Sequence, residues 1–127
     1  MTKAVFRDVA PYGDDALNLP VENVEAAIPY YEKVFDFRVV SRQDEPHKSV
    51  ILARDDVRIG LVENGGDPTQ EGCFFEVENL AAAFEEIKGA PPTESAFRLD
   101  NLRGGLYRVF FVAAPDGLCF MLGERQA

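Results

Sequence analysis

Polar and apolar positions along this chain fall into two similar series. The first opens with a short apolar run at 16–21, read as a strand. Asn23 follows as a helix N-cap, and Val24, Ala27, Ile28, Tyr31, Val34 and Phe35 then recur at helical spacing. Pro29 removes a backbone donor inside that helix and predicts an irregular or bent first turn. Residues 37–42 read as a strand, 43–48 as a polar loop, and 49–54 with 57–63 as a hairpin turning at Asp55 and Asp56. A turn-rich stretch at 64–71 separates the halves. The second series repeats the order. It has a strand at 73–77, then a helix capped by Asn79 that runs through Lys88 and stops at Gly89. A loop opened by Pro91 and Pro92 leads to a weak strand at 97–99 and a strong one at 107–113. The last strand, 118–122, follows a turn at 114–117.

Two pairs of phrases make the repeat explicit. LPVENVEAA (19–27) and FEVENLAAA (75–83) set Val21 against Val77, an offset of 56 residues. DVRIGLV (56–62) and DGLCFML (116–122) set the closing hairpins against each other at an offset of 60. A βαβββ unit leaves one apolar sheet face open and cannot bury it alone, so two copies packed together are the expected solution.

Composition narrows the classes of function. The chain has 127 residues, 46% hydrophobic and 28% charged, enough for one domain spanning 1–127 that buries about two-thirds of its unfolded surface. Acidic residues outnumber basic ones 22 to 13, and the net charge of −9 repels phosphate backbones and anionic membranes. Neither nucleic acid nor membrane is therefore an expected partner. No apolar run approaches the roughly 20 residues of a membrane helix. The opening residues MTKAVFRD lack the apolar core of a signal peptide, so a cytoplasmic location is expected. Cys73 and Cys119 have no CxxC spacing and read as reduced, small, buried side chains.

LNLPVENVEAAIPYYEKVFDF (17–37) and GGLYRVFFVAAPDGLCFML (104–122) resemble the vicinal oxygen chelate superfamily of glyoxalases, extradiol dioxygenases and bleomycin-resistance proteins. The first stretch is similar to that family's strand-to-helix junction with its aromatic pair, though Asp36 stands where the family has glycine. The second is similar to its Gly-x-x-x-Phe-Phe hairpin ending in Asp-Pro-Asp-Gly, with Ala114 in place of the first Asp. The likeness covers 15–124. It implies an α+β fold of two tandem βαβββ modules, about 15–63 and 72–124. These would form a curved mixed sheet around a cavity, with helices on the outer face, in a homodimer.

In the metal enzymes of that family a divalent ion is held from the first and last strands of each module. Carried onto this chain, those positions are Ala16, Leu61, Gly72 and Met121, none with an imidazole or carboxylate donor. The resemblance therefore implies a member with no metal and no cofactor. Residues of matching strand parity, Asn18, Glu63, Glu76 and Cys119, do not converge on one ion, because Glu76 lies about 13 Å along its strand from Gly72. Asn18 and Glu63 are expected side by side, facing the cavity.

The leading reading is a protein that binds an apolar or aromatic small molecule. Ile59, Leu61, Phe74 and Met121 would supply walls, and Asn18, Glu63 and Glu76 polar groups. The alternative is a glyoxalase- or dioxygenase-type enzyme with a displaced metal or with acid–base work by Glu63 or Glu76. A third reading is a degenerate domain that dimerises or binds a protein partner. His47 reads as a solvated loop residue and Arg108 as a salt-bridge partner on the outer face. Arg98 and Arg103 either gate the cavity or are solvated. One of Tyr30 and Tyr31 packs inward and the other reaches solvent or a dimer contact. No Ser-His-Asp or Cys-His set can be assembled around one loop histidine, so no catalytic residue is assigned.

Overall fold

The computed structural model describes residues 4–12, 15–87, 98–102 and 104–126. The first half contains β1 (Val5–Pro11), β2 (Leu19–Pro20), α1 (Val24–Val34), β3 (Arg38–Gln43), β4 (Ser49–Arg54) and β5 (Val57–Val62). After a 3₁₀ turn (Pro68–Gln70) come β6 (Gly72–Glu78), α2 (Leu80–Ile87), β7 (Arg98–Leu102), β8 (Gly105–Ala113) and β9 (Cys119–Gln126). One sheet runs β2-β5-β4-β3 and the other β1-β6-β9-β8-β7. Without β1 the two orders are the same. In each, the opening strand lies parallel to the last one, β2 to β5 and β6 to β9, and the remaining pairs are antiparallel. The α+β fold of two βαβββ modules is thus present.

The helices begin for matching reasons. Asn23 Oδ1 accepts from Ala26 N at 3.0 Å, and Asn79 Oδ1 from Ala82 N at 3.2 Å. These bonds satisfy donors that a first helical turn leaves unpaired. A glutamate from the far end of each module's last strand then reaches the same helix end. Glu63 Oε2 accepts from Val24 N at 2.9 Å, and Glu124 Oε1 accepts from Leu80 N at 2.9 Å. Negative charge there also complements the helix dipole.

This pairing of Glu63 with Glu124 corrects the hairpin offset from 60 to 61. Burial agrees with the new register, since Ile59 and Phe120, and likewise Leu61 and Leu122, are fully buried. Arg58 and Cys119 are both exposed. The slip arises in the turns. The β4–β5 hairpin closes around Asp55 and Asp56, with Arg54 opposite Val57, whereas β8 and β9 are last paired at Ala113 and Cys119.

Pro29 lies within α1, and the helix stops at Phe35, after which Asp36 turns left-handed at φ 57°. A position just past a helix end with that geometry favours glycine. The resembled family's glycine at this place is thereby explained, and aspartate is a tolerated substitute.

Both modules bury their helix-bearing faces in one continuous core. Ile28 and Tyr31 of α1, Phe35 just after it, and Leu80, Ala83 and Ile87 of α2 meet Leu52, Ile59, Leu61, Phe75, Phe110, Phe120 and Leu122 there. Phe75 and Phe120 stack at 5.4 Å, and Phe35 meets Phe120 edge-on at 5.5 Å. Each large side chain so buried contributes about 1.5–3 kcal/mol. The sheet faces without helices consequently lie on the outside.

β1 was not expected. It pairs antiparallel with β6 from Val5 opposite Glu78 to Pro11 opposite Cys73, with a bulge between Phe6 and Asp8. It also grips the first module: Phe6 N donates to Asp55 Oδ2 at 2.9 Å, and Arg7 forms ion pairs with Asp56 and Glu78. Nearby, Arg54 is 6% exposed and joins the modules. It donates to Phe35 O at 2.7 Å and Ala4 O at 2.9 Å, pairs with Glu86 at 2.9 Å, and lies 4.3 Å from the Phe6 ring centre.

Other boundaries shift modestly. β2 is shorter than the run at 16–21, because Ala16 and Leu17 leave the ladder. β9 continues to Gln126 and β7 to Leu102. Lys88, Gly89, Pro91, Pro92, Phe97 and Arg103 fall outside the described residues. Among those described, no helix is long and apolar enough to cross a membrane.

Candidate functional site

Strand alternation gives the five-stranded sheet a second apolar face, opposite the helices. Its centre is a row of register partners crossing four strands, Ala10 beside Phe74, Phe74 beside Met121, and Met121 beside Phe111. Phe74, Tyr107 and Val109 are buried on this face, with Ala10, Phe111 and Met121 packed against them and only partly covered. Gly123 makes the packing possible. A Cβ there would come within 2.7 Å of the Phe74 ring and 3.0 Å of Val109. Phe74 in turn meets Tyr107 edge-on at 5.6 Å.

Polar groups edge this apolar floor. The Tyr107 hydroxyl donates to Glu76 Oε1 at 2.7 Å, and the Arg125 guanidinium lies 5.9 Å from the Tyr107 ring centre. Burial pushes the Tyr107 phenol up, the Glu76 hydrogen bond adds to that shift, and Arg125 opposes it. At the other end of the floor stand Tyr12, 45% exposed, and the exposed Cys119. The Tyr12 phenol is also pushed up, chiefly by burial. Such a surface can hold an apolar body by contact and orient it through a hydroxyl, a carboxylate and a cation.

Of the residues singled out in sequence, Phe74, Glu76 and Met121 come together here. The rest do not. Ile59 and Leu61 belong to the helix-side core and are 0% exposed, so they wall no cavity; the one-residue slip in register had turned them to the wrong face. Asn18 and Glu63 are committed elsewhere, Asn18 Nδ2 to Asp15 Oδ2 at 2.6 Å and Glu63 to the start of α1. The expected polar pair is therefore corrected. Each borders a separate shallow hollow, with Gly66 and Asp67 common to both. Arg108 lies on the helix side, opposite Glu124 in register, and His47 is exposed between β3 and β4. Arg98 stands in β7 opposite Val109. Buried Cys73 also faces the core, its thiol pushed up to about 12 by burial and then by Glu71.

Tyr107, Phe111 and Arg125 were missed. The alternation of Tyr107, Val109 and Phe111 against Phe110 and Val112 was the available signal of a strand apolar on both faces.

The positions where the resembled family holds a metal do not fit one here. With the corrected register, Gly60 rather than Leu61 is the counterpart of Met121. It has no side chain, and a Cβ there would lie 2.1 Å from the Leu17 carbonyl oxygen. A Cβ on Gly72 would lie 1.7 Å from the Cys119 carbonyl oxygen, so a histidine cannot be accommodated. Ala16 brings only its backbone, whose oxygen accepts from Gly60 N at 2.8 Å. That leaves Met121, a soft thioether. Among the described residues no three His, Cys, Asp or Glu side chains are grouped to hold an ion.

Comparison with solved structures gives the same architecture in proteins of low sequence identity. A protein from the mobile metagenome of V. pseudocholerae superposes with a TM-score of 0.72 at 18% identity, covering 91% of this chain and 95% of that one. A bleomycin resistance determinant encoded on transposon Tn5 gives 0.67 at 22% identity, covering 91% and 99%. The fosfomycin resistance protein FosX from Listeria monocytogenes, in complex with Mn(II) and 1S,2S-dihydroxypropylphosphonic acid, gives 0.65 at 14% identity, covering 91% and 93%. No curated protein matches the chain by sequence. The family model for the Glyoxalase/Bleomycin resistance protein/Dioxygenase superfamily matches residues 15–121. That span takes in both strand-to-helix junctions and most of both hairpins, and the chain belongs to this superfamily.

Proposed function

We propose that this protein binds an apolar or aromatic small molecule on the open face of the five-stranded sheet, without a metal, and that a second copy of the chain covers it. The observation that carries this reading is the half-covered row Ala10, Phe74, Met121 and Phe111, edged by the Tyr107–Glu76 hydrogen bond. An apolar floor with a few convergent polar groups is the ordinary makeup of a small-molecule site. The case for a homodimer rests on the shared core. Both helix-bearing faces are used within the chain, so a closed cavity over the open face needs another molecule. Exposed Leu17, Val40 and Tyr12, each 44–46% exposed, supply apolar surface for that contact. Cytoplasmic residence is part of the proposal, in keeping with two free thiols.

Native mass spectrometry of freshly purified protein tests all parts together. The expected spectrum is a dimer carrying a small organic molecule, and Met121→Glu should release that molecule while the protein stays folded. Added zinc, nickel or manganese should leave Tm unchanged, because an ion stabilises only by binding the folded state. One tightly held metal per chain, or a bare monomer at micromolar concentration, would overturn the reading.

The Tyr107–Glu76 pair favours one second reading, an enzyme of the glyoxalase or dioxygenase type working by carboxylate acid–base chemistry. Glu76→Gln separates the two. It should abolish turnover in an enzyme and leave ligand affinity nearly unchanged in a binding protein.

A further inference from the structure

Away from the open faces, a cleft of about 240 Å³ lies between α1 and the turn joining β8 to β9. One wall is helical, formed by Ala26, Ala27 and Tyr30, and the other is Pro115 and Asp116. Glu22 stands at the mouth, exposed, and no described residue offers it a cation. Among the described residues no basic side chain lines the cleft.

Two features of the walls are unexplained by packing. The Tyr30 hydroxyl is buried and has no hydrogen-bond partner among the described residues. A buried orphan of this kind commonly marks a missing water, ion or ligand. Asp116 is held in place by two donors, the Tyr31 hydroxyl at 2.8 Å and Leu118 N at 2.9 Å, yet receives no cation. Burial raises its carboxyl above the ordinary value despite those bonds, and burial with Asp116 nearby pushes the Tyr30 phenol up to about 12. A cation at the cleft would relieve the cost of keeping that carboxylate ionised. The remaining lining, alanine, proline and a tyrosine ring, is apolar and suits a hydrocarbon body beside the charge.

We infer that this cleft is a second ligand site, separate from the open face, for a small organic cation such as a primary amine. Its ammonium group sits between Asp116 and Glu22, and its apolar part lies against Ala26, Pro115 and the Tyr30 ring. The volume falls below the roughly 300 Å³ of a drug-sized pocket, so the occupant is fragment-sized. Because α1 belongs to the first module and Asp116 to the second, an occupant bridges the two halves.

Titration of the isotopically labelled, full-length protein with benzylamine, benzyl alcohol and benzoate tests this. Benzylamine should shift the amide resonances of residues 22–30 and 115–116, and the neutral and anionic analogues should not. Glu22→Gln, a change at an exposed side chain, should weaken benzylamine about two- to fivefold. Asp116→Asn, which keeps an oxygen for Leu118 N, should weaken it about tenfold or more. If Asp116→Asn does not fold, the Glu22 variant and the analogues still decide. Equal binding of benzoate, or wild-type affinity in Glu22→Gln, would overturn the inference. Shifts confined to β6, β8 and β9 would assign the ring to the open face, and so would overturn this site while supporting the other.

Discussion

Superposing the module β2-β5-β4-β3 on β6-β9-β8-β7 sets Gly60 against Met121, Asn18 against Phe74 and Arg54 against Ala114. The frame is shared down to the caps, Asn23 with Asn79 and Glu63 with Glu124. The outer faces are not. In the first module the opening strand has two ladder residues, and the Leu17 backbone occupies the space a side chain at Gly60 would need. In the second, the opening strand runs for seven residues and presents Phe74 and Glu76 beside Met121 and Tyr107. A repeated fold keeps what holds its helices and hairpins together, while binding character resides in the few residues of one parity on one face.

The largest test of that comparison is Arg54, which has no charged counterpart in the second module. Arg54→Ala removes one partner of a buried ion pair and should cost about 3–5 kcal/mol, read from urea unfolding. Ala114→Gly, at the buried matching position, should cost only about 0.5–1 kcal/mol. Comparable losses at the two positions would erase the asymmetry. Next comes the floor. Gly60→Ala should destabilise by about 1–3 kcal/mol because backbone must move, with little effect on ligand. Met121→Ala should instead weaken ligand binding more than it lowers Tm.

Much of this was legible beforehand. The Asn23 and Asn79 caps and the helical spacing after them placed both helices, and the echo of LPVENV in FEVENL exposed the repeat. What failed was register. Hairpin turns of different length moved the offset by one, and with a side-chain period of two that is enough to send Leu61 to the wrong face. β1 escaped notice because its bulge at Arg7 breaks the alternation of Phe6 and Val9. Tyr107 and Arg125 needed the fold itself, since only strand pairing brings them beside Glu76.

Smaller effects sharpen the shared frame. Glu63→Ala and Glu124→Ala each leave first-turn donors unsatisfied and should cost about 0.5–2 kcal/mol. Agreement between the two within about 0.5 kcal/mol supports equivalence at offset 61, and a one-sided loss breaks it. The least effect is a gain. Asp36→Gly relieves a left-handed residue at the end of α1 and should add about 1 kcal/mol or less, seen as a small rise in Tm.

The position of β1 bears on how the chain folds in time. It leads the sequence, yet its hydrogen-bonding neighbour is β6, beyond the whole of the first module. During synthesis the first module can collapse while β1 still lacks a neighbour, and only the arrival of β6 closes that long loop. The pairing is thus a late, non-local step, and refolding should slow when β1 is weakened only if that step limits the rate. Severing the chain within 64–67 would leave β1 on one fragment and β6 on the other. Such fragments should find each other and co-elute rather than fold apart; two independently stable halves would show that β1 is an accessory strand. As the sheets are built, the two halves can no longer be exchanged like cassettes, because the first carries the edge strand of the second's sheet.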